Sequence, residues 1–166
     1  MNHFTACLAI LGIGAILCAL FAGRPRAAAW IFRISLTFGC VLGLLQAFAG
    51  FAGGPVEVLR SSWQVPLGEF ALAADPLSAF FLLLTFGICL PAGWFGEGYL
   101  AASRRLSANG SIRPLFLLMV AAISSVVCAR NAVLFIAAWE IMALCSFMLI
   151  MAEHEEPVVR RASRSR

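Results

Sequence analysis

Glu140 is the acidic residue set deepest in an apolar stretch of this 166-residue chain, and its placement is the one most suited to chemistry. It stands about nine residues into the last apolar run, hence about 13 Å along a helix rising about 1.5 Å per residue. That is near the middle of a hydrocarbon layer about 30 Å thick. A carboxyl group there costs at least ~2.5 kcal/mol to insert and persists with a partner, a proton or water. Loss of hydration disfavours its charged form, which suits the group to taking up and releasing a proton. Ala137 and Ala143 flank it three residues to either side and are small enough to admit a neighbouring helix. Ser146 is six residues on and points elsewhere. The plainer alternative is a structural carboxyl group hydrogen-bonded to a second helix.

Other polar residues carry weaker signals. Asp75-Pro76 reads as a helix start, aspartate capping and proline in the first helical position. Ser124 and Ser125 could line a polar path, although bonding back to their own helix is at least as good a reading. Gln46 needs a polar partner between helices. The six cysteines (Cys7, Cys18, Cys40, Cys89, Cys128 and Cys145) all fall in apolar runs without a CxxC pair, and His3 and His154 stand far from them in sequence. Clustered ligands are what a metal or disulfide framework requires, so these read as small buried hydrophobes. No GxGxxG, P-loop, HExxH or GxSxG pattern occurs. The sequence offers no catalytic, cofactor-binding or metal site of those kinds.

The elements that must position Glu140 follow from composition. Apolar residues make up 62% of the chain and charged residues 12%, against about 45–50% and about 25% in soluble domains. Such an excess excludes a soluble fold. It predicts an all-α, polytopic transmembrane bundle of about five helices, with spans at about 4–22, 29–50, 76–95, 114–129 and 132–152. A charged tail over 153–166 follows. The first span is too long for the apolar part of a signal peptide and no basic residue precedes it. Arg130-Asn131 leaves so short a link that the last two spans must form a tight antiparallel pair. Between the second and third spans, Val56–Leu59 and Trp63–Phe70 alternate around a Pro/Gly turn, which reads as a short β-hairpin on the membrane surface, with Trp63 suited to the interface.

Twelve arginines, seven glutamates, one aspartate and no lysine set the orientation. The first connection carries Arg24 and Arg26, with Arg33 one turn inside the next helix and able to snorkel back. The third carries Arg104, Arg105 and Arg113 against Glu97, and the tail carries Arg160, Arg161, Arg164 and Arg166. With five spans these regions share one side, which the positive-inside rule assigns to the cytoplasm. The second connection has Glu57, Glu69 and Asp75 against Arg60 and faces outward. The expected setting is a bacterial inner membrane, amino terminus periplasmic and carboxyl terminus cytoplasmic. The basic balance belongs to the membrane and not to nucleic acid.

Two segments carry a resemblance: 63–100, with its DPLSAFF core and closing GYL, and 131–162, with WEIMALCSFML and AEHEE…VRRA. Together they resemble the antiporter-like proton-translocating subunits of complex I, Mrp-type antiporters and membrane-bound hydrogenases. The wording is most similar to the hydrogenase-4 / formate hydrogenlyase large membrane subunit. The resemblance implies that Glu140 matches the family's glutamate of the fifth helix, a proton-relay residue working with a lysine on a later, broken helix. It implies partners among hydrogenase or dehydrogenase subunits that hold the nickel–iron and iron–sulfur centres, and no cofactor in this chain. Family members have about fourteen helices. With no lysine here, the partner of Glu140 is expected in another polypeptide, and the chain is expected to be a truncated product or half of a split subunit, not a pump by itself. The alternatives are a component of a Mrp-type cation/proton antiporter and a structural membrane fragment without activity.

Overall fold

A computed structural model describes residues 2–52, 58–65, 68–102 and 109–154. Five helices and one hairpin follow in order: α1 (Asn2–Leu20), α2 (Pro25–Phe51), β1 (Val58–Val65), β2 (Gly68–Ala73), α3 (Pro76–Ala102), α4 (Ile112–Cys128) and α5 (Ala132–His154). The chain is a helical membrane bundle carrying a small antiparallel sheet. Among the described residues, α1, α2, α3 and α5 are long and apolar enough to cross a membrane, while α4 is a shorter apolar helix of 17 residues.

Local chemistry sets the helix starts. Pro25 and Pro76 open α2 and α3, where a missing N–H costs nothing. Ahead of Pro76, the Asp75 Oδ1 accepts the Ser78 backbone N–H at 2.7 Å, and ahead of α5 the Asn131 Oδ1 accepts that of Val133 at 2.7 Å. Ser124 and Ser125 donate to the carbonyls of Val120 and Ala121, both at 2.8 Å, so their hydroxyls stay within α4.

Consecutive helices run antiparallel, α1 packing on α2 and α4, α2 on α3, and α5 on α4. The core lies between α1, α2, α3 and α4, around Phe4, Leu11, Leu36, Leu82, Phe86 and Leu117. Close approach of α2 and α3 depends on glycines, among them Gly50 of α2, where a Cβ would meet that of Ala79. A Cβ at Gly43 would collide with the Phe86 ring, and one at Gly93 with Leu36. By contrast α5 lies at the margin: 11% of its apolar window is buried, against 28–39% for the other three long helices.

The alternating directions put the end of α1, the start of α2, the end of α3 and the start of α4 at one end of the bundle. The hairpin and the α4–α5 turn share the other. β1 and β2 pair from Val58 opposite Ala73 to Val65 opposite Gly68, with an irregularity between Ser61 and Gln64. The turn residues Pro66 and Leu67, the side chains of Trp63, Arg60 and Glu69, residue Glu57, Arg104 and Arg105, and the tail arginines lie outside the described set. So do the side chains of Glu153 and His154.

Candidate functional site

The α5 helix carries Glu140 eight residues after its first residue, Ala132. The side chains buried on α5 are Ala138 and Cys145, which face α4, and Ser146 joins them by donating to Met119 Sδ at 3.5 Å. Glu140 turns away from that contact. It is exposed, as are Ala137 and Ala143, so the small-residue face is open on the outside of the bundle. No ion pair or hydrogen bond reaches Glu140 among the described residues. The arrangement is a carboxyl group eight residues into α5, on an exposed face with the small residues Ala137 and Ala143 on either side.

A second charged site escaped the sequence reading. The third span was expected to stop near 95, leaving Glu97 and Arg113 in a connection. Instead α3 continues to Ala102 and α4 begins at Ile112, so both residues are helical and face each other. Glu97 is 2% exposed and Arg113 4%. Arg113 Nε donates to Glu97 Oε1 at 2.6 Å and Arg113 Nη2 to Oε2 at 3.4 Å, the forked geometry a guanidinium offers a carboxylate. Arg33 of α2 brings its Nη2 to 3.8 Å from the same Oε2. Its guanidinium lies 5.8 Å from the Trp30 ring and 5.7 Å from the Trp94 ring, within cation–π range. Trp94 is held in turn by its Nε1 donating to Thr37 Oγ1 at 3.1 Å. Arg33 therefore does not simply extend to the interface; it turns toward Glu97.

Pairing with Arg113 offsets part of the cost of carrying Glu97 in the apolar helix α3. The sequence alone assigns Glu97 to the connection after a span ending near 95. The signal that could have corrected this was the run Tyr99-Leu100-Ala101-Ala102, which resumes helix-compatible sequence, with no proline until Pro114.

The opposite end is fastened by a clasp. Arg130 Nη2 lies 2.7 Å from Asp75 Oδ2, and its backbone N–H donates to the Ala71 carbonyl at 2.9 Å. Leu72 bridges Ala129, and Ser78 Oγ donates to the Val127 carbonyl at 3.0 Å. These bonds satisfy the end of the short helix α4 and tie the α4–α5 turn to β2 and α3. The Ser78 hydroxyl and amide, and then the Arg130 guanidinium, hold the Asp75 carboxyl below its ordinary 3.8, at about 2. Among the described residues no group of three or more His, Cys, Asp or Glu could hold a metal ion.

Comparison with known proteins agrees with a membrane assembly. No family model matches the chain. The uncharacterized proteins MT0090 and Rv0083 of Mycobacterium tuberculosis are each 36% identical to it over 124 residues, which is 75% of this chain and 18% of theirs. A chain of the membrane-bound sulfane sulfur reductase (MBS), an archaeal respiratory membrane complex, matches with a TM-score of 0.62 and 25% identity. That match covers 89% of this chain and 22% of the other. The chain thus spans about a fifth of the length of the proteins it matches. It is a multi-pass helical membrane protein that resembles a subunit of a respiratory membrane complex.

Proposed function

We propose that the chain contributes helices to a complex-I-like, hydrogenase-type membrane subunit that translocates protons, and that Glu140 is its proton-relay residue. The observation that carries the reading is the likeness to a chain of an archaeal respiratory membrane complex across 89% of this sequence. Glu140 adds to it. A carboxyl group at mid-helix on an exposed face is costly in lipid and calls for a polar neighbour from another helix, and Ala137 and Ala143 leave room for one. In this reading the neighbour supplies a cation, and shifts in that pairing move the proton. The arginine-rich end faces the cytoplasm. Redox centres, nickel–iron and iron–sulfur, belong to partner subunits of the hydrogenase or dehydrogenase kind.

The test is proton uptake by inverted membrane vesicles from cells carrying E140Q in the assembled complex. Translocation per turnover is expected to fall about a hundredfold, the scale of a lost proton-transfer group, with E140D in between. Unchanged uptake in E140Q would leave Glu140 a structural carboxyl group and overturn the relay.

A further inference from the structure

The buried Arg113–Glu97 pair is closed on itself, one guanidinium forked onto one carboxylate. Arg33 is left over. Its Nη2 stands 3.8 Å from Glu97 Oε2, beyond hydrogen-bond range, and its Nε is buried without an acceptor. Among the described residues the Arg33 guanidinium makes no hydrogen bond. With Glu97 neutralised by Arg113, one positive charge stays unmatched, and it sits on a side chain 31% exposed. A charge excess in apolar surroundings needs a counter-ion or water.

The depth of Arg33 says which anion is at hand. Arg33 stands eight residues after the start of α2, and Glu97 five before the end of α3. At about 1.5 Å per residue these positions lie about 12 Å and about 8 Å below the helix ends. Helices α2 and α3 have 27 residues each and are about 40 Å long, the thickness of a bilayer with its headgroups. Its hydrocarbon core takes about 30 Å of that, so the boundary falls about 5 Å below the helix ends. By turning toward Glu97, Arg33 carries its charge back toward that boundary. Trp30, 63% exposed, and Trp94, 49% exposed, mark the same level as an aromatic belt does.

The two indoles also shape the site. The guanidinium lies 5.8 Å from the Trp30 ring and 5.7 Å from the Trp94 ring, and Trp94 is anchored by its bond to Thr37. The Trp30 indole N–H has no hydrogen bond among the described residues. Guanidinium and indole donate and do not accept. Their complement is an anion with several acceptor oxygens, and at the hydrocarbon boundary the phosphodiester of a lipid is that group.

We propose that the exposed edge of Arg33, between Trp30 and Trp94, binds the phosphodiester group of an anionic phospholipid on the outer surface of the bundle. Glu97 and Arg113 serve it indirectly, as a closed pair that turns Arg33 without quenching its charge.

The test is native mass spectrometry of the full chain in detergent, titrated with dioleoyl phosphatidylglycerol or dioleoyl phosphatidylcholine. Phosphatidylglycerol is expected to be retained several-fold more strongly, since phosphatidylcholine carries the same phosphodiester with a compensating cation. R33Q is expected to weaken phosphatidylglycerol retention about fivefold, the worth of one arginine near a membrane surface. R26Q, which removes another exposed arginine of α2, is expected to change it by less than about twofold, as suits a screened surface charge. W30A, at an exposed position, is expected to weaken it by at least about twofold through the lost cation–π contact. Helical circular dichroism identifies any variant that fails to fold, and W30A decides the matter if R33Q does. Equal retention of the two lipids, retention unaffected by R33Q or W30A, or an equal loss in R26Q and R33Q overturns the proposal. Displacement of phosphatidylglycerol by millimolar orthophosphate would assign the site to free phosphate and overturn the lipid assignment.

Discussion

Glu97 and Glu140 are both carboxyl groups carried by long apolar helices, and their surroundings are opposite. Glu97 lies near the end of α3, is 2% exposed, and receives Arg113 at 2.6 Å with Arg33 at 3.8 Å. Glu140 lies well inside α5, on an exposed face, with no partner among the described residues. The pairing of Glu97 is complete within three neighbouring helices, so its work is internal to the bundle. Glu140 occupies the position where insertion costs most and where this chain offers least. A buried, paired carboxylate ties helices together, whereas the described residues leave an exposed one at depth without a bond.

The comparison breaks most readily at Arg113. Replacing it with alanine leaves Glu97 buried without its main partner, and such losses cost about 3–5 kcal/mol. R113A is therefore expected to give the largest drop in unfolding free energy, measured by denaturant titration in detergent micelles. A double replacement, E97M with R113M, removes both charges and is expected to recover most of that loss, because a well-packed apolar pair often matches a buried ion pair. If R113A alone were as stable as the parent chain, the contrast between the two carboxylates would collapse.

Next in size is G93A. A Cβ at Gly93 would meet the Leu36 side chain, so Leu36 or the α2–α3 seam must give near the point where Arg33 reaches Glu97. Overpacking of this kind costs about 1–3 kcal/mol. A drop in stability, together with a changed tryptophan emission from Trp30 and Trp94, would tie that packing seam to the geometry of the cluster. An unaltered spectrum would separate them.

These sites differ also in how far the sequence revealed them. Glu140 stood out because it interrupts an apolar run, a signal contained in one helix. Asp75-Pro76 did so because capping is local. The cluster depends on Arg33, Glu97 and Arg113, 64 and 16 residues apart along the chain, meeting across three helices. No one-dimensional pattern encodes that meeting. Because the pairing was not visible, Glu97 and Arg113 were assigned to the connection between the third and fourth spans, whereas α3 runs on to Ala102 and α4 begins at Ile112. The bundle itself was legible, since length and hydropathy constrain a membrane helix strongly. The exposure of the Glu140 face was not, because periodicity in so apolar a helix does not distinguish lipid from protein.

The clasp at the hairpin end supplies an intermediate case, an ion pair neither buried nor free. D75A loses the cap of α3 and the partner of Arg130, and is expected to cost about 1–2 kcal/mol. D75N retains capping ability and is expected to cost less. The folded Asp75 titrates at about 2, below its ordinary 3.8. Its contribution is therefore complete above about pH 4 and lost as pH falls toward 2. The stability difference between the parent chain and D75N should shrink across that interval. A difference that stayed constant with pH would mean that charge contributes nothing to the clasp.

The smallest effect is expected at Glu140, and its smallness is the informative part. Its carboxyl group has no bond to lose among the described residues, so E140Q should alter the unfolding free energy of this chain by less than about 0.5 kcal/mol. The same substitution is expected to lower proton uptake in the assembled complex about a hundredfold. A residue that matters to function while contributing almost nothing to the stability of its own chain acts through a neighbour outside the described residues. If E140Q instead destabilised the isolated chain as much as the loss of Arg113 does, Glu140 would have an internal partner. The two carboxylates would then be variants of one structural device, and the open face of α5 would need another explanation.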